Sequence, residues 1–156
     1  MHPAADCPPL VLRTNGGPIK QRWYRLDPQD TKTLKAEIDA MLAASIAGVS
    51  GSSWGSPAFI AHAEGHQDRK VGDYRKVNNV LVADVYPIPD IHGVFDLMGS
   101  AKYFGCADLK AGFWQVLVEP ESVPITAFCS MFGLHEYYRA PFGIKNYPAH
   151  FMRVMN

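Results

Sequence analysis

Few side chains in this chain combine a type and a setting suited to chemistry. Asp108 closes an aromatic-rich run, Tyr103-Phe104-Gly105-Cys106-Ala107, that reads as a strand. A carboxylate at the end of a rigid strand can hold a hard divalent cation, which prefers oxygen ligands. It can equally cap a turn, and periodicity alone does not single it out. A second concentration is Arg69-Lys70-Val71-Gly72-Asp73-Tyr74-Arg75-Lys76, where four cations face one anion. Such a run can grip phosphate oxygens, arginine doing so bidentately, or it can be an ordinary solvated face. His62 and His66 have the four-residue spacing of two metal ligands on a helix. Gly65 and the loop-like surroundings oppose a helix there, and no third ligand is near, so a zinc site is not expected. Finally, Pro141-Phe142-Gly143 joins a fixed backbone to a residue that lets the chain approach a ligand closely.

Composition narrows the classes. A chain of 156 residues can form one domain with a real core, or a fragment of a larger one. A hydrophobic content of 47% argues against wholesale disorder. Fifteen basic and fifteen acidic residues cancel, so there is no global basic footprint of the kind that nucleic-acid binding usually leaves. Three cysteines, Cys7, Cys106 and Cys129, have no paired spacing and suit a reducing compartment. The apolar run after the first prolines is only Leu10-Val11-Leu12, so no signal peptide is expected. The longest apolar stretch, Ala40 to Val49, falls well short of the roughly 20 residues that a membrane span needs. These features predict a soluble intracellular chain with no membrane partner.

The elements that must position those residues follow from local signals. Prolines and glycines make residues 1–18 an irregular leader. Asp27 can cap a helix that begins at Pro28, with Asp30 near its positive end. Leu34, Ile38, Met41 and Leu42 continue it at helical spacing, and Gly48 can close it. Ser50 to Pro57 reads as a loop, followed by a short strand from Ala58 to Ala61 and a turn at Glu64-Gly65. Tyr86-Pro87-Ile88-Pro89 must be extended. A helix is predicted from Asp90 to Met98 with Ile91, Val94, Phe95 and Met98 on one face, weakened by Gly93. Strands are predicted at Lys102–Asp108, Gln115–Val118 and Thr126–Ser130, and Phe132-Gly133 can turn the last of these into Leu134–Arg139. A final helix starts after Asn146, with Phe151, Met152 and Met155 as its apolar side. This order gives an α+β domain and nothing more specific.

Two blocks add specificity. Ala107-Asp108-Leu109-Lys110-Ala111-Gly112-Phe113-Trp114-Gln115 and Ala140-Pro141-Phe142-Gly143-Ile144-Lys145-Asn146-Tyr147-Pro148-Ala149-His150-Phe151 together resemble signature blocks of a reverse transcriptase. The kind they resemble is encoded by gypsy-type LTR retrotransposons. The resemblance implies a partial right-hand polymerase fold. Residues 1–18 would be the leader, 19–88 a fingers-like region and 89–156 an incomplete palm. It makes Asp108 the catalytic, metal-bridging aspartate of the first palm block, with Mg²⁺, or Mn²⁺, in a pair of ions about 4 Å apart. Leu109, Phe113, Phe142 and Gly143 become nucleotide-binding. Phe113 stands where the family carries an aromatic gate against the 2′-hydroxyl, the group that separates ribo- from deoxyribonucleotides; a core aromatic is the competing reading.

The fingers-like match lies in Pro18-Ile19-Lys20-Gln21-Arg22, Trp54-Gly55-Ser56-Pro57, Arg69, Asp73-Tyr74-Arg75 and Asn78. By resemblance Arg69, Asp73 and Arg75 serve nucleotide binding. The family's lysine-bearing hairpin here reads Ala61-His62-Ala63-Glu64, which predicts a weakened triphosphate clamp. Tyr147 and His150 replace residues that are usually small or threonine. No Asp-Asp pair occurs in the sequence; the resemblance implies an aromatic-x-Asp-Asp block after Asn156. The implied partners are an RNA or DNA template with primer, dNTPs and the rest of a Pol polyprotein, with a cytoplasmic virus-like particle as the setting. The implied activity is template-directed nucleotidyl transfer to a primer 3′-hydroxyl by the intact enzyme. A catalytically dead or domesticated remnant is the alternative for this chain alone.

Overall fold

Asp27 starts the first helix as its chemistry predicts. Its carboxylate accepts the Asp30 N–H at 2.8 Å, Pro28 occupies the first turn, and α1 runs Pro28–Ala43. Leu34, Ile38 and Met41 turn one apolar face inward. The helix stops earlier than Gly48. Ser45 takes a positive φ of 53° and swings the chain directly into a strand, β1 (Ala47–Val49), inside which Gly48 lies. The glycine is needed there because the Tyr138 ring lies where its side chain would be.

The computed structural model describes residues 5–62, 69–87, 91–99, 101–106, 109 and 112–155. Asp108, the turn expected at Glu64-Gly65, His66, Asp90 and the second half of the extended linker lie outside them. The described strands are β1, β2 (Ser56–Ala61), β3 (Arg69–Gly72), β4 (Phe128–Ser130) and β5 (Gly133–Tyr137), in a single sheet of order β1-β5-β4-β2-β3. Only β2 and β4 run parallel, with Ser56 opposite Phe128. The expected hairpin between β4 and β5 forms, with Gly133 at a φ of 116° in its turn. The helices after α1 are α2 (Arg75–Val80), α3 (Ile91–Met98) and α4 (Tyr147–Met155). The result is the α+β domain read from the sequence.

The leader is irregular yet structural. Leu10 donates its N–H to Leu117 O at 2.7 Å, Leu12 donates to Ser122 Oγ at 2.8 Å, and both leucines are buried. Backbone polar groups taken out of water must find partners, and these come from distant loops rather than from a helix or sheet.

Two expected strands do not form among the described residues. Lys102 to Cys106 has no strand pairing and is exposed, Tyr103 at 94%. Gly112–Gln115 forms a 3₁₀ turn, and Leu117 and Val118 make isolated bridges to Arg139 and Leu10. The second expected strand, Gln115–Val118, is broken because its first residue closes that turn and its last two pair with different segments, so no one ladder forms. Phe113 and Trp114, just ahead of it, both lie against Phe142. The last helix also rotates from expectation: α4 buries Tyr147 and His150 and leaves Met155 exposed. In α3, Phe95 and Met98 of the expected apolar face are exposed.

Candidate functional site

Of the sequence-predicted residues that are described, Asp73, Arg75 and Gly143 gather where β3 runs into α2. Asp73, directly after β3, is buried, and its N–H is held by Pro57 O at 2.8 Å. Its carboxylate is fully engaged. Arg75 Nε donates to Oδ1 at 2.8 Å, a terminal guanidinium nitrogen donates to Oδ2 at 2.7 Å, and the Tyr24 hydroxyl donates to Oδ2 at 2.7 Å. The fork-on-carboxylate geometry is the strong form of this contact. The Arg75 guanidinium, helped by Tyr24, holds the Asp73 carboxyl well below the usual carboxylate range. Tyr24 in turn has its pKa raised, chiefly by that hydrogen bond. Asp73 therefore orients a cation: Arg75 stays 84% exposed while its head group is fixed.

Asn78, one turn into α2, fastens the Pro-Phe-Gly segment. Its Nδ2 donates to Gly143 O at 2.8 Å and its Oδ1 accepts the Lys145 N–H at 3.0 Å. Gly143 has a φ of 94°, and a Cβ there would meet Gly72 O at 3.4 Å and Tyr74 Cδ2 at 3.5 Å. The turn thus sits directly over the β3–α2 junction, and its left-handed backbone, rather than any lack of space, calls for glycine. Gly143→Ala is expected to lower stability by about 1–2 kcal/mol, the cost of a left-handed backbone for an L side chain. Urea unfolding checks this; an unchanged midpoint would mean that the turn relaxes freely.

Phe113 stacks on Phe142 with centroids 4.3 Å apart, on Tyr147 at 4.4 Å and parallel to Phe151 at 6.0 Å. It is half-buried, so the ring is both a packed aromatic and partly accessible. Leu109 is exposed, and its carbonyl accepts the Gly112 N–H at 3.2 Å. Arg69 is exposed at the start of β3, opposite Ala61. Asp108 lies outside the described residues.

Several contributors were not legible as such. Tyr24 reaches Asp73 from 49 positions away with no local motif to announce it. Lys70, read with its neighbours as solvated or phosphate-gripping, is buried instead. Tyr147 is 1% exposed and fills the space beside Phe113, while the His150 Nε2 donates to Pro8 O at 3.0 Å and ties the leader to α4. Burial pushes the His150 pKa down. Asn146 carries out two tasks: its backbone carbonyl accepts the His150 N–H, and its side chain holds Val82 O and the Asp84 N–H.

His62 stands 3.2 Å from Asp30 Oδ2, just past the end of β2 and not on a helix. Among the described residues no group of three His, Cys, Asp or Glu gathers to hold a metal ion. Asp73, the described carboxylate at the cluster, does not fit a divalent-ion site, since it is spent on Arg75 and Tyr24. Among those residues, too, no helix is long and apolar enough to cross a membrane.

Residues 66–156 match the family model described as "Reverse transcriptase (RNA-dependent DNA polymerase)". This chain belongs to the reverse transcriptase family. The reverse transcriptase segment is 36% identical over 151 residues to the retrovirus-related Pol polyprotein from transposon opus of Drosophila melanogaster, covering 93% of this chain and 15% of that protein. It is 33% identical over 142 residues to the enzymatic polyprotein of cauliflower mosaic virus (strain Strasbourg), covering 88% of this chain and 21% of that one. Among solved structures, the prototype foamy virus protease–reverse transcriptase crystallised as a selenomethionine-labelled mutant superposes with a TM-score of 0.82 at 25% identity, covering 96% of this chain and 20% of that one. A foamy viral protease–reverse transcriptase in complex with an RNA/DNA hybrid superposes at 0.79 and 23% identity, again covering 96% and 20%. The fold of the reverse transcriptase segment is therefore that of a partial polymerase, and it spans a minor share of its relatives' length.

Proposed function

We propose that this chain forms the fingers and the first part of the palm of a gypsy-type retrotransposon reverse transcriptase, residues 19–88 and 89–156 respectively. The carrying observation is that the β3–α2 junction, the Phe113 ring and the Gly143 turn converge inside the family match. In this reading Arg69 and Arg75 meet the triphosphate, with Asp73 holding Arg75 in its fork. Phe113, Phe142, Gly143 and Leu109 form the floor beneath the incoming nucleotide. Asp108 is the carboxylate assigned to Mg²⁺ or Mn²⁺, the ions whose charge assists phosphoryl chemistry of this class. The partners are primer–template and dNTPs, with the rest of a Pol polyprotein, in a cytoplasmic particle. That reading accords with relatives solved on double-stranded DNA and on an RNA/DNA hybrid.

A second reading, a remnant with at most nucleic-acid binding, draws on one feature. Ala61-His62-Ala63-Glu64 stands where the family places phosphate-gripping lysines, and Glu64 repels phosphate.

The test uses the 156-residue chain with a labelled primer–template and dNTPs. Binding is expected at low ionic strength and should weaken steeply with salt, because phosphate contacts release counterions. Primer extension with Mg²⁺ or Mn²⁺ is not expected, since the sequence offers no Asp-Asp pair to join Asp108. Absence of binding at low salt would refute the polymerase-segment reading for this polypeptide. Incorporation that Asp108→Ala abolishes would show that the site needs no further carboxylates.

A further inference from the structure

The cation pair Arg69-Lys70 divides between two environments. Arg69 faces solvent, whereas Lys70, the next residue of β3, is 8% exposed. Strand alternation requires one of two neighbours to point inward, and here the inward one carries a lysine amine. Its Nζ lies 3.1 Å from the centroid of the Phe128 ring in β4 and 4.5 Å from that of Tyr137 in β5. It also donates a hydrogen bond to the Tyr137 hydroxyl. Among the described residues β3 pairs with β2 alone, through four residue pairs. Lys70 therefore supplies links from this short edge strand to two strands that β3 does not touch by backbone.

We infer that Lys70 is a positioning residue, an internal strap that fastens β3 to β4 and β5 and so fixes Arg69, without itself meeting phosphate. Burial pulls the Lys70 pKa well below the ordinary lysine value, and the field of Glu37 on α1 opposes that only in part. The ring faces suit the cationic form, and the amine can donate to the Tyr137 hydroxyl in either form. An exposed lysine would be free to reach a ligand; this one is held beneath the sheet. The link from Lys70 to a triphosphate rests on the nucleotide-binding reading of Arg69, while the strap itself does not.

Amide hydrogen exchange on the full chain tests the strap. Lys70→Met keeps the aliphatic stem and removes the amine. Exchange in Arg69–Gly72 should accelerate about tenfold, as a local opening would, with Phe128–Ser130 and Gly133–Tyr137 changing less than about threefold. Uniform acceleration, or none, overturns the proposal. Should Lys70→Met fail to fold, Tyr137→Phe removes only the acceptor hydroxyl and should loosen the same four residues selectively. A second arm measures dATP affinity in Mg²⁺ for the native chain, Arg69→Ala, Lys70→Met and the double variant. A positioning role predicts that the double variant binds no more weakly than Arg69→Ala; additive losses would make Lys70 a phosphate ligand and overturn the proposal. If the native chain binds no dATP, or Arg69→Ala leaves binding unchanged, the nucleotide reading fails and the exchange result still decides the strap.

Discussion

Tyr74→Ala is expected to cost about 3–5 kcal/mol, the range for removing a large buried aromatic. Tyr74→Phe should cost about 1–3 kcal/mol, the penalty for leaving a buried acceptor unpaired. Tyr74 is 1% exposed, and its hydroxyl donates to Thr126 O at 2.7 Å. Burial pushes its pKa well up, so the hydroxyl keeps the proton it donates. The ring also sets the backbone around it. A Cβ on Gly72 would fall 2.6 Å from Tyr74 Cε2, and one on Gly143 would lie 3.5 Å from its Cδ2. The β3–α2 junction and the Pro-Phe-Gly turn are thus moulded on one side chain. Domains are stable by only about 5–15 kcal/mol, so the alanine variant should sit near its unfolding threshold. Urea titrations of both variants separate the two contributions. If Tyr74→Phe is as damaging as Tyr74→Ala, the hydroxyl rather than the ring carries the junction. If Tyr74→Ala loses under about 2 kcal/mol, the site collapses around the gap and the moulding argument fails.

The parts of this fold that the sequence disclosed are those where a short run contains its own cause. Asp27-Pro28 names a helix start because cap and first-turn proline are adjacent, and the observed Asp27–Asp30 bond is local. Phe132-Gly133 names a hairpin because one glycine supplies the positive φ. The failures share the opposite property. Tyr103-Phe104 has strand-like residues but no partner strand among those described, so propensity had nothing to pair with. Gln115–Val118 has strand-like residues too, but Leu117 and Val118 bridge to Arg139 and Leu10, and no window of local sequence contains those partners. Lys70 is the clearest case. In a run of four cations its charge predicts solvent, yet its place on an edge strand, opposite Ile60, turns it toward Phe128 and Tyr137. For the candidate site, the resemblance pointed to Asp73, Arg75 and Gly143 among others, and the fold brings these three close, with Asn78 as the link to Gly143. It could not reveal that Asp73 serves Arg75 and Tyr24, because a carboxylate's partners are a matter of tertiary contact.

The same Asp73 contact makes an acid prediction. Asp73→Asn should cost about 2 kcal/mol at neutral pH, toward the middle of the range for hydrogen bonds to a charged group, and the exposed side of Arg75 keeps it from being more. The sign follows from the depressed pKa. In the unfolded chain Asp73 titrates near the ordinary value of about 3.9, and in the fold it titrates lower. The unfolded state therefore binds the proton first, and stability is lost as pH falls through that window. Above about pH 5 the full contribution is present, and below about pH 4 it drains away. Two other groups act on a different leg. His135 and His150 are buried with lowered pKa values, so their contribution falls away already as pH drops below about 6.5, their unfolded value. Both histidines, and the Asp84–Arg153 pair, are common to the native and Asp73→Asn chains. The difference between the two chains therefore isolates Asp73. Urea midpoints at several pH values should show a gap that is constant from neutral pH down to about 5 and narrows steadily below about pH 4. Parallel curves across that range would mean that the carboxylate charge contributes nothing and that Arg75 is held by packing alone. A narrowing gap would mean that Asp73 spends its charge on fixing Arg75, and the exposed guanidinium would then be pre-set for an anion before any ligand arrives.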